Sequence, residues 1–122
     1  MAQARLEDSK ILLANDRYDG AGYICGYAVE LALKARICDT LSWSGYPDTK
    51  KEFENLLSFK THNLDVLLSL SGREPAIKQN NFADWSIVCL WKPESRYSAV
   101  GQVSPADAQA FLESVNTLLP ML

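Results

Sequence analysis

At 122 residues the chain can form one domain with a proper core, and its 48% hydrophobic and 22% charged content is ordinary for a soluble globular protein. With 12 basic against 15 acidic residues the net charge is −3, which disfavours unaided, sequence-independent binding to nucleic acid. The polar, periodic start (Arg5, Glu7, Asp8, Lys10) does not read as a signal peptide, and the long apolar run from Ala21 meets charge before the ~20 residues that span a bilayer.

The spacing of Ala2, Leu6, Ser9 and Leu13, with Leu12 beside them, predicts a first helix over about Ala2–Ala14. Asn15 to Gly20 is a break, and Asp19 is the expected N-cap of a long second helix over about Gly20–Leu41. Between Ala21 and Ala35 its only charges are Glu30 and Lys34. A helix with so little polar face belongs at the centre of a helical domain, so Glu30 should be buried. An unpaired carboxylate there costs several kcal/mol, roughly tenfold the ~0.3–0.5 kcal/mol of an exposed Glu–Lys pair one turn apart. Glu30 therefore needs a partner from another element, or it belongs to a binding site. Gly22 and Gly26, four apart on the same helix, predict close approach of another helix.

Ser42–Lys50, with Gly45 and Pro47, reads as a loop, followed by a short helix over Lys51–Leu57. Thr61 is the expected cap of a helix over His62–Leu70, closed by Ser71 and Gly72. Another helix is expected over Phe82–Lys92, with Phe82, Trp85 and Cys89 on one stripe and Pro93 ending it. Gly101–Val103 is loop. Ser104, Pro105 and Asp107 then form a strong helix start, and Phe111, Val115, Leu118 and Leu122 a clean stripe. No strand pattern survives. The expected fold is all-α, a single domain over 1–122, built as an antiparallel up-and-down bundle of four long helices plus one or two short ones.

The three cysteines, Cys25, Cys38 and Cys89, lack metal-site spacing and read as reduced core residues of a cytoplasmic protein. With one histidine, His62, no metal is expected, and no cofactor motif is present. Two clusters carry candidate chemistry. Tyr23, Tyr27, Glu30 and Lys34 share one helical stripe, either as a satisfied buried network or as the wall of a polar site. Trp91, Glu94, Arg96 and Tyr97 form the second. Arg96 is the expected counter-charge to Glu30, or else a phosphate contact, with Trp91 and Tyr97 as base-stacking or core residues. His62 is either structural, at its helix start, or a contact for a ligand or partner.

The run YxxGYAVExALKAxI from Tyr23 to Ile37, the THNLxxLL helix start from Thr61, and W-x5-W-x2-E-x-R-Y from Trp85 to Tyr97 together resemble the HEPN domain family over nearly the whole chain. The resemblance implies an all-helical bundle, often dimeric. It also implies a role among nucleotide-binding modules, ribonucleases of toxin and defence systems, or partners of minimal nucleotidyltransferases. HEPN ribonucleases carry an arginine followed four to six residues later by histidine. Here Val100, Gly101 and Gln102 follow Arg96 at that distance, and no arginine precedes His62 at it. The expectation is a non-ribonuclease module acting by nucleotide or protein-partner binding. Its partner would be a nucleotidyltransferase of a two-component, toxin–antitoxin-like system. The competing readings are a ribonuclease with a displaced site using His62 and Arg96, and a purely structural dimerisation adaptor. A homodimer is expected also because the tryptophans, tyrosines and Phe82 exceed what one small bundle can hide.

Overall fold

The computed structural model describes residues 1–56, 59–93 and 103–122. These are helical, with no strand among them: α1 (Ala2–Ala14), α2 (Tyr18–Leu41), α3 (Leu64–Ser71), α4 (Glu74–Asn80), α5 (Phe82–Val88) and α6 (Pro105–Leu118), followed by a 3-10 turn over Leu119–Met121. α1, α3 and α6 pack on α2, and α5 packs on α6. The inward residues of α2 (Ala21, Cys25, Gly26, Ala28, Val29, Glu30, Leu33 and Ile37) are all buried, as a helix without a polar face requires. No helix among the described residues is long and apolar enough to cross a membrane.

Among the described residues the expected four long helices are three: α1 with 13 residues, α2 with 24 and α6 with 14. The middle of the chain is divided into pieces of eight, seven and seven residues. Gly72 closes α3 in the left-handed region (φ 79°), where glycine carries no steric cost. Pro75 then fits the first turn of α4, a helix the sequence pattern did not disclose. The helix expected to reach Lys92 stops at Val88, and a tight turn (Trp91 N–H to Val88 carbonyl, 3.1 Å) sends Trp91 back toward α2. On so short a helix only Trp85 and Val88 reach the core; Phe82, expected beside Trp85, is 61% exposed.

Three boundary expectations are also corrected. α2 begins at Tyr18, and Asp19 lies inside its first turn, where it accepts the Val103 N–H at 3.0 Å rather than capping. The cause lies at the end of α1. Asp16 adopts φ 62°, and the Arg17 and Asp16 N–H groups bond the Leu12 and Leu13 carbonyls at 2.9 and 3.1 Å. This closure reverses the chain within two residues and starts the next helix early. Thr61 does not cap α3: Asn63 does, accepting from the Asp65 and Val66 N–H groups, while Thr61 Oγ1 accepts from the Asn63 N–H. The helix expected over Lys51–Leu57 is a series of turns as far as Leu56, with Leu57 outside the described residues. One turn of helix fixes several dihedrals for a single hydrogen bond and does not propagate unaided.

Cys25 is fully buried and a free thiol. Burial pushes it up to about 12. The folded protein therefore holds this proton more tightly than the unfolded chain, whose thiol ionises near pH 8.5. Stability should be unaffected by this group below that point and fall as pH rises from there toward 12. Denaturant titrations at pH 8 and pH 10 check the sign, and Cys25 should resist alkylation at pH 8 until the protein unfolds.

Candidate functional site

Glu30 is the centre of the site. It is 3% exposed, and each of its oxygens has a cation-capable neighbour: His62 Nδ1 lies 2.8 Å from Oε1, and Lys34 Nζ lies 3.5 Å from Oε2. The partner from another element is thus His62, on the segment before α3, 32 residues away in sequence. The turn over 59–63 makes this reach possible. The Thr61 N–H bonds the Phe59 carbonyl at 3.0 Å, and the Tyr46 hydroxyl donates to the same carbonyl. Trp43, Tyr46, Phe53 and Phe59 pack edge to face beneath it. Lys34 Nζ sits 5.0 Å from the centre of the Tyr46 ring, so the ammonium touches both the carboxylate and an aromatic face. Burial, with Cys38 and Glu30 nearby, pushes the Tyr46 phenol up to about 12.

Trp91 is the second anchor. It is 8% exposed and lies flat on α2 where Gly26 has no side chain; a methyl built there would overlap the indole. The close approach predicted from the glycines is therefore made by a side chain at Gly26, while Gly22 has nothing near it. The Tyr23 ring lies 6.1 Å from that of Trp91. Trp91 Nε1 is buried without a hydrogen-bond partner among the described residues.

Between these anchors opens a cleft of about 460 Å³, bordered by Lys60, His62 and Leu64 on one side and by Cys89, Trp91 and Lys92 on the other. No carboxylate lines it among the described residues. His62 is 65% exposed there, although its Nδ1 is tied to a buried acid. Such an arrangement can hold an anion between two ammonium groups and an oriented imidazole.

Of the residues singled out in the sequence, the structure brings Glu30, Lys34 and His62 together, and Tyr23 with Trp91. Tyr27 packs half-buried against the core. Glu94, Arg96 and Tyr97 lie outside the described residues, and with them the expected Arg96–Glu30 pair. Lys60, Lys92 and Tyr46 were missed: a lysine beside a loop carries no signal, and Tyr46 sits in an irregular stretch without periodicity.

A family model described as HEPN domain matches residues 1–122, the whole chain. The chain belongs to the HEPN domain family. No curated protein and no solved structure matches it. In this HEPN domain Glu30 and Lys34 come from the long second helix, and His62 from the segment that leads into the third.

Proposed function

We propose that this HEPN module works by binding, holding the phosphates of a nucleotide in the cleft bordered by Lys60, His62 and Lys92. The observation that carries the reading is a concave site with two ammonium groups, an imidazole and no carboxylate among its described lining, on a protein whose net charge is −3. The missing Arg-to-His spacing of the HEPN ribonucleases also favours binding over catalysis. Titration calorimetry with ATP and GTP at pH 7 tests it. A charge-assisted hydrogen bond contributes about 1.5–3 kcal/mol, so Lys60→Ala with Lys92→Ala should weaken binding at least tenfold. Absence of heat with both nucleotides sinks the proposal.

Family membership supports a protein partner as well, and a minimal nucleotidyltransferase in a toxin–antitoxin-like pair is the proposed one. The free thiols fit a reducing compartment, so the proposed location is the cytoplasm. We also propose a homodimer. Phe82, Ile87 and Leu90, on or just after α5, are 61%, 42% and 76% exposed. Light scattering at tens of micromolar should return twice the chain mass, and a monomer mass there counts against pairing.

The carboxylate-bound His62 favours one second reading, a ribonuclease with a displaced site using His62 and Arg96. RNA cleavage by wild type that disappears in His62→Ala would replace the binding reading with this one.

A further inference from the structure

If the cleft is a phosphate site, as proposed above, the way His62 is held bears on the charge state in which that site takes its ligand. Glu30 accepts at Oε1 from His62 Nδ1, and Lys34 occupies Oε2. A carboxylate has no proton to give, so Nδ1 carries the hydrogen and Nε2 is the nitrogen left open. Among the described residues Nε2 has no partner, and the ring stands 65% exposed at the edge of the cleft.

The charges around this ring are unevenly placed. Glu30 and Lys34 face it from α2, Lys60 comes from its own segment, and Lys92 borders the cleft after α5, as does Cys89. Asp65, in the first turn of α3, is engaged by Trp85 Nε1 at 3.0 Å and Lys78 at 3.4 Å. The acid in contact with the ring is thus Glu30 alone among the described residues, and Glu30 already shares its charge with Lys34. In the empty cleft a proton on Nε2 adds a further positive charge beside two lysines. A phosphate in the cleft reverses this balance, because the imidazolium then lies between two anions, Glu30 behind it and the ligand in front.

We infer that the cleft takes up a phosphate-bearing ligand together with one proton, carried on His62 Nε2, with Glu30 orienting the ring for that role. Binding is then proton-linked: it tightens as pH falls through neutrality, and by reciprocity the bound ligand holds the proton on His62 to higher pH.

His62 is the only histidine in the chain, so its Cε1–H resonance in the untagged protein reports its protonation without assignment. With saturating ATP, the protonated-form shift should persist to roughly one pH unit higher than without it, which corresponds by linkage to about tenfold in affinity. Calorimetry with ATP should then show wild type binding about tenfold more tightly than His62→Asn at pH 6, and the two converging at pH 8.5. The titration of ATP itself is common to both proteins and cancels in this ratio. A His62 resonance indifferent to bound ATP, or an affinity ratio to His62→Asn that stays constant with pH, overturns the inference and leaves the phosphate site standing. No ATP binding at either pH removes the site and the inference together. The resonance measurement uses wild type only, so it decides the matter even if the variant folds poorly.

Discussion

Gly26→Ala should destabilise the protein by about 2–4 kcal/mol, although alanine is the better helix former by ~1 kcal/mol. A Cβ at this position would overlap Trp91 at Cγ, Cδ1 and Nε1. Those atoms lie close to the root of the side chain, so no rotation of its far end relieves the contact. Either α2 shifts away from a close-packed core, or the indole leaves its site and its burial is lost. Gly22→Ala is the internal control. It lies four residues earlier on the same helix with nothing within 4 Å, and should stabilise by roughly 0.5–1 kcal/mol. Urea titration of the two variants should thus give opposite signs. Equal effects would mean that Trp91 does not lie on Gly26. Trp91→Ala combined with Gly26→Ala should cost less than the sum of the two, because one contact is removed by either change.

Removing both partners of Glu30, in Lys34→Met with His62→Ala, should cost about 3 kcal/mol, the low end of the ~3–5 kcal/mol for a buried charge left unpaired. The low end applies because His62 is 65% exposed and its removal admits water to Oε1. Adding Glu30→Leu to that pair should restore most of the loss, since the buried charge is then gone. Glu30→Leu alone should be tolerated within about 1–2 kcal/mol, because Lys34, 21% exposed, and His62 can both turn to solvent. Chemical denaturation of the four proteins checks the ordering. A double variant as stable as wild type would show that Glu30 does not depend on these two residues.

The two halves of this picture differ in how far they could be read from residues alone. α1 and α6 were legible to the residue at one end or both, because Ser104, Pro105 and Asp107 are a local capping signal, and because the stripe through Leu6 and Ser9 repeats at helical spacing. The burial of Glu30 was legible for the same reason: α2 has no face to offer water, whatever surrounds it. α4 and the early end of α5 were not. Seven-residue helices carry too few repeats to show a period, and both are held by packing rather than propensity. The partner of Glu30 was the harder question. His62 reaches it across an irregular segment whose course is set by the bond from Tyr46 to the Phe59 carbonyl and by aromatic packing, neither of which has a sequence period. The glycine at position 26 announced a close approach, but that the visitor is Trp91 follows only from where the chain turns after Val88. Local chemistry thus determined the three long helices, the buried acid and the family, because caps and periodicity act over a few residues. Tertiary structure alone decided that Glu30 holds His62 at the edge of a cleft lined by lysines, because contacts across 30 residues depend on the directions of every turn between them.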